Sequence, residues 1–102
     1  MNIQLKKGIL DALVLSILKN KDLYGYRLSE QINSIVHTAE TALYPILRRL
    51  KMQGYLTTYS VEHNGRLRKY YSITESGRVH LDERIGDLFE LSKIIETIVE
   101  GD

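Results

Sequence analysis

Cationic and phenolic side chains dominate the chemistry this sequence could perform. Arg66, Arg68 and Lys69 place three cations within four residues, and Tyr44, Arg48 and Arg49 fall within six. Arginine forks match phosphate oxygens and guanine edges, and a tyrosine offers a hydroxyl to phosphate or an apolar face to thymine methyls. Groups suited to other chemistry are scattered. His37, His63 and His80 are far apart in the chain, none with a carboxylate or second histidine at ligand spacing, so no metal site is expected. Glu83 and Asp87 stand four apart and read as a solvated acidic helix face. There is no cysteine, phosphate-cradling glycine loop or Ser/His/Asp arrangement, so neither a cofactor nor an enzymatic activity is expected.

The elements that position these groups follow from apolar spacing. Leu5 to Leu18 reads as a helix, with Ile9, Leu10, Leu13, Val14, Ile17 and Leu18 at spacings of three and four and Lys6, Lys7 and Asp11 on the polar side. A second amphipathic stretch begins near Tyr24-Gly25-Tyr26 and carries the stripe Leu28, Ile32, Ile35. Val36 to Ala39 is the turn into a third helix, about Glu40 to Met52, with Leu43, Ile46, Leu47 and Leu50 inward and Gly54 as its terminating glycine. Two tightly joined helices after a first one form the helix-turn-helix pattern. On a helical wheel the outer side of the third helix carries Thr41, Pro45 and Arg48, flanked by Tyr44 and Arg49. Pro45 cannot donate to the carbonyl of Thr41, so the helix either starts late or bends there.

Tyr55 to Val61 and Leu67 to Ile73 are rich in β-branched and aromatic residues. Asn64-Gly65 between them supplies the positive φ angles of a tight hairpin. A hairpin directly after the third helix is the wing of a winged helix, with Arg66, Arg68 and Lys69 near its tip. These cations suit phosphate contact, although Lys and Arg also protect edge strands.

Charge divides along the chain. Residues 1–73 hold 11 Lys/Arg against 5 Asp/Glu, and residues 74–102 hold 3 against 8, within a net charge of +1. A basic unit that meets a polyanion and an acidic unit that does not are the natural reading. Thr74 is a good N-cap for a last helix, along which Leu81, Leu88, Leu91, Ile95 and Ile98 form one apolar line and Ile85 and Phe89 a second. Two such lines call for a partner, and a second copy supplies it, making Leu81, Leu88, Leu91, Ile95 and Ile98 the expected dimer interface. The sequence thus divides into a winged helix-turn-helix (1–73) and a dimerisation helix (74–102), mainly α with a small β-hairpin. No apolar run reaches membrane-spanning length and no signal peptide precedes Lys6, so a cytoplasmic protein is expected.

The segments Leu23-Tyr24-Gly25-Tyr26, Ala42 to Leu50 (ALYPILRRL), Gly54-Tyr55-Leu56 and Gly65 to Gly77 (GRLRKYYSITESG) resemble the PadR family of transcription regulators, in order over about Lys7 to Gly77. The single remaining helix is similar to the family's shorter-tailed branch. The resemblance implies a homodimeric winged helix-turn-helix, usually a repressor, that binds an inverted repeat in duplex DNA and is released by a small molecule or a cellular signal. It implies DNA contact by Tyr44 and the polar face of the third helix (Thr41, Arg48, Arg49), by the start of the second helix (Tyr24, Tyr26) and by Arg66, Arg68 and Lys69. Lys6 and Lys7 complete the expected DNA-binding set. The resemblance further implies an apolar or aromatic effector between the first and last helices, where Ile9, Leu13, Ile85, Leu88 and Phe89 could line a pocket. Ala42 and Leu67 depart from the family pattern, and Lys51 adds a cation where an acid is common. The alternative from a different class is a winged-helix module that binds protein, because this fold hosts both functions.

Overall fold

The structure, a computed structural model, describes residues 3–101, with side chains from residue 6 onward. The outermost residues of the expected 1–73 and 74–102 units lie outside that range, as does the side chain of Leu5. Helix α1 (Ile3–Asn20) runs past both expected ends and is the central post of the fold. The sequence gives it one apolar face, but Leu10, Ala12, Val14, Leu15 and Leu18 are all buried, because α2, α3, α4 and the sheet cover it from several sides. Among its polar residues, Asp11 is mostly covered.

After α1 come β1 (Leu23–Tyr24), α2 (Gly25–Ile35), α3 (Glu40–Met52), β2 (Leu56–His63), β3 (Arg66–Ile73) and α4 (Glu75–Glu100). The hairpin is therefore part of a three-stranded antiparallel sheet, ordered β1-β3-β2. The sequence reading has no β1: residues 23–24 pair with Tyr71 and Tyr70, and that pairing alone makes them a strand. The β2–β3 register runs from Leu56 opposite Ile73 to His63 opposite Arg66. Asn64 and Gly65 turn the hairpin with φ of 51° and 78°, the left-handed pair of a type I′ turn.

In α2, Leu28 and Ile32 are buried but Ile35 is 61% exposed. The helix ends there, and Val36 of the turn packs on the core in its place. Thr38 is buried in the turn, its N–H given to Asn33 Oδ1 and its hydroxyl to the Val36 carbonyl. Helix α3 starts at Glu40 and continues through Pro45, so the proline is accommodated within the helix and does not delay its start. At its other end Gly54 (φ 84°) donates to the Lys51 carbonyl and Tyr55 N–H to the Leu50 carbonyl, the paired bonds of a Schellman stop.

The same turn receives α4. Thr74 N–H donates to the Tyr55 carbonyl, and the hydroxyls of Thr74 and Ser76 both donate to the Gly54 carbonyl, at 2.6 and 2.9 Å. Thr74 Oγ1 also accepts from Gly77 N–H as the N-cap of α4. His80 stacks on Tyr55 with ring centroids 4.1 Å apart. Although Thr74 marks a sharp corner, the first two turns of α4 pack into the winged helix, since Gly77 and Leu81 are buried. Leu81, read from the sequence as an interface residue, is 1% exposed in the core of its own domain and has no surface to offer a partner.

Beyond Leu81 the helix leaves the domain. Ile85, Leu88, Phe89, Leu91, Ile94, Ile95, Ile98 and Val99 are all exposed, and the molecule measures 60 × 27 × 21 Å. No helix among the described residues is long and apolar enough to cross a membrane.

Candidate nucleic-acid interface

Helix α3 is held by Leu43, Ile46, Leu47 and Leu50, all buried, which leaves Tyr44, Arg48 and Lys51 as a row at spacings of four and three along its outer side. The wing folds back beside this row. Tyr71 and Ile73 of β3 point into the core, so Lys69 shares their face while Arg68 and Tyr70 take the other. Gly25 starts α2 beneath Tyr44, whose ring a Cβ at that position would meet at 3.5 Å.

A concavity of about 450 Å³ results, lined by Tyr44, Arg48 and Lys51 from α3, Arg68, Lys69 and Tyr71 from β3, and Tyr24 to Tyr26 at the start of α2. Four cations converge on it with no carboxylate among the lining residues. Arg68 lies over the Tyr24 ring with its guanidinium carbon 4.4 Å from the centroid, and Lys69 Nζ is 5.8 Å from the Tyr71 ring. Tyr24, Tyr70 and Tyr59 form a ladder across the three strands at 5.7 and 5.5 Å, and Tyr59 donates to Asp22 Oδ2 at 2.7 Å. Stacking holds the wing cations against the sheet, which reduces the rotamer entropy lost when they meet an anion.

Tyr44 donates its hydroxyl to Glu40 Oε1 at 2.7 Å. That bond, with burial second, pushes the Tyr44 pKa up to about 12. The hydroxyl therefore remains a donor at any physiological pH. The contribution of the bond to the folded state is complete below about pH 10 and is lost as pH rises towards 12. Burial pushes Tyr71 up as well, against the opposing pull of Arg48. In an ultraviolet absorbance titration, Glu40→Gln is expected to bring one phenol down from about 12 towards the ordinary 10. Identical curves for the two proteins would mean that Glu40 does not hold the hydroxyl.

Six of the eleven residues expected to bind DNA line this concavity: Tyr24, Tyr26, Tyr44, Arg48, Arg68 and Lys69. Thr41 is exposed one turn earlier on α3, and Arg66 is exposed beside the hairpin turn. Three others lie elsewhere. Arg49 turns towards α1, where its guanidinium meets Asp11 Oδ1 at 2.6 Å, and it also donates to Oε1 of Gln53, the C-cap of its own helix, at 3.2 Å. The bond to Asp11 also accounts for that residue's cover, its side chain being 15% exposed. Lys6 and Lys7 stand across α3 from the wing, beside a separate trough. Lys51 is absent from the expected set, although its spacing from Tyr44 and Arg48 places it in the same row.

The residues expected to line an effector pocket are divided between two surroundings. Leu13 packs against the core and Ile9 is half-buried on α1, whereas Ile85, Leu88 and Phe89 are exposed along α4. Leu88, Leu91, Ile95 and Ile98 of the expected dimer seam are likewise exposed. Among the described residues no cluster of His, Cys, Asp and Glu could hold a metal ion.

Comparison with known proteins places this geometry among regulators. Residues 14–83 match the model of the transcriptional regulator PadR-like family. A curated but uncharacterised protein of Lysinibacillus sphaericus is 33% identical over 100 residues, covering 93% of this chain and 92% of its own. The crystal structure of a Streptococcus mutans UA159 protein is similar at 42% identity and TM-score 0.86, covering 93% of this chain and 90% of that one. A PadR family transcriptional regulator of Eggerthella lenta has 31% identity and TM-score 0.86, covering 98% and 89%. A PadR-like transcriptional regulator of Bacillus cereus has 28% identity and TM-score 0.85, covering 97% and 99%.

Proposed function

Because the chain belongs to the PadR-like family of transcriptional regulators, we propose that it is a sequence-specific repressor that binds an inverted-repeat operator in duplex DNA as a homodimer. The observation that carries this reading is the carboxylate-free concavity joining Arg48 and Lys51 of α3 to Arg68 and Lys69 of the wing. A recognition helix in the major groove with a basic wing on the adjacent backbone uses both sets of cations at once. The exposed stretch of α4 from Ile85 to Val99 supports the homodimer, since eight large apolar side chains along one helix remain a third or more exposed. The protein acts in the cytoplasm, and no catalytic step is assigned to it.

Base readout falls to Arg48 and Tyr44, and backbone contact to the wing, Lys51 and Thr41. Arg48→Ala is expected to cost about 1–3 kcal/mol at the operator and to relax preference at one base position. Arg68→Ala is expected to weaken all duplexes alike and to reduce the salt slope by about one. Fluorescence anisotropy over a salt series, on operator and scrambled duplexes, separates the two effects. Normal operator binding by Arg48→Ala would overturn the assignment of α3 as the recognition helix.

Release by a small apolar or aromatic effector completes the proposal. Phe89, 68% exposed, and its neighbours Ile85 and Leu88 are available to enclose such a molecule once a second α4 covers them. The effector acts by favouring a dimer geometry whose recognition helices no longer match the groove spacing. A screen of aromatic compounds showing neither thermal shift nor operator release would remove this part of the account.

A further inference from the structure

On the side of α3 away from the wing, a trough of about 370 Å³ separates its first turns from the start of α1. Its walls are aliphatic: Leu10 from α1, and Ala42, Pro45 and Ile46 from α3, with Thr38 closing one end. The polar atoms of Thr38 are already engaged with Asn33 and Val36, so that end adds little demand for a polar ligand. Lys6 and Lys7 form the rim, and Lys6 Nζ rests on the His37 carbonyl at 2.9 Å. A neutral carbonyl is a weaker partner for an ammonium than a carboxylate would be. The trough is within the roughly 300–1,000 Å³ range of small-ligand sites.

An aliphatic trough with cations along one edge is complementary to an amphipathic anion, with the chain in the trough and the charge at the lysines. We propose that this cleft binds a medium-chain aliphatic carboxylate, of about octanoate to decanoate length, within a single subunit. It is separate from the space between α1 and α4, because Lys6, Lys7 and Leu10 face α3 here and no α4 residue lines it. The consequence for DNA, but not the site, rests on the proposed function. A seated carboxylate engages Lys6 and Lys7 and lodges against Ala42 and Pro45 of the recognition helix, so it lowers operator affinity.

Isothermal titration calorimetry of the full chain without DNA tests the site, using hexanoate, octanoate, decanoate and, as the uncharged control, octanol. Saturable binding of one carboxylate per chain is expected, tightening about two- to three-fold per added methylene, below the four-fold of full burial because the trough is half open. Octanol is expected to bind about two- to five-fold more weakly than octanoate, the range of an exposed ion pair. Ala42→Met, which fills the trough from an exposed helix position, is expected to weaken octanoate at least ten-fold while the melting temperature is retained. Lys6→Gln is expected to bring octanoate down towards octanol and to leave octanol unchanged. No saturable binding overturns the proposal, as does binding untouched by Ala42→Met, which would put the ligand on the exposed α4 face. Equal affinity for octanol and octanoate overturns the role of the lysine rim. Operator anisotropy with and without octanoate keeps the two readings apart. Operator binding without octanoate binding sinks only the cleft, and octanoate binding without any operator binding sinks only the DNA reading.

Discussion

Deleting residues 85–102 is expected to yield a folded monomer whose operator affinity has fallen by about two orders of magnitude or more. The cut removes Ile85, Leu88, Phe89, Leu91, Ile94, Ile95, Ile98 and Val99 together, the large apolar side chains that α4 leaves exposed beyond Leu81. It spares Gly77 and Leu81, through which the same helix closes the core of the winged helix. Linking two half-site readers makes the second contact intramolecular, and the gain from such linkage is roughly 10²–10⁴ in affinity. The truncated chain keeps its concavity and therefore its weak, salt-dependent affinity for any duplex. Light scattering and anisotropy on both proteins check the two halves of the expectation. A full-length protein that is monomeric at micromolar concentration, or a truncated one that still dimerises, contradicts it.

The second large effect is expected at the corner between the wing and α4. Gly77 sits in the first turn of α4 against the backbone carbonyl of Tyr55, which a Cβ there would strike, and that Cβ would lie 2.8 Å from Ile73 Cγ1. Neither neighbour can yield easily. The Tyr55 carbonyl is fixed by the Thr74 N–H, and Ile73 is buried at the end of β3. Gly77→Ala therefore pushes α4 outward, disturbing the Thr74 cap, the bonds to the Gly54 carbonyl and the packing of Leu81. The helix gains the better intrinsic propensity of alanine, worth about 1 kcal/mol, but overpacking against fixed backbone costs about 3 kcal/mol or more. A fall in melting temperature of about 8 °C or more is expected by calorimetry. The exposed Gly86, nine residues further along the helix, where an added Cβ meets open space, is the control. Gly86→Ala should raise stability slightly, and a Gly77→Ala protein as stable as Gly86→Ala would show that the close approach is not needed.

The contrast between these two glycines also shows what the sequence can reveal. Local signals fix local structure: Gly54 stops α3, Asn64-Gly65 turns the hairpin and Thr74 caps α4 wherever the rest of the chain goes. These positions, together with the apolar period of α3, make the helix-turn-helix and the wing legible without a structure. What escapes is decided by distant partners. Residues 23–24 form a strand only because β3 lies beside them. Leu81 continues the heptad-like line of α4, yet the domain buries it before a partner could, since spacing says which face is apolar and not what covers it. Ile35 belongs to the stripe of α2 by period, but the chain turns there and Val36 fills the space. Arg49 sits on the flank of the α3 wheel, and only Asp11 of α1 decides which way its fork points. The outward row of α3 is legible as far as Arg48. Lys51, one turn on, follows from the same spacing and needs only the wheel to be carried further.

The central claim is that this chain reads DNA as a symmetric pair. Selection of bound sequences from a pool of random duplexes, with the full-length protein at physiological salt, tests it most directly. Enrichment of an inverted repeat is expected, with half-sites centred about one helical turn, 10–10.5 base pairs, or a multiple of it apart. The Arg48→Ala protein should enrich the same repeat with one position in each half-site relaxed. Recovery of an unsymmetrical single site, or of a pool no different from the starting one, would contradict it.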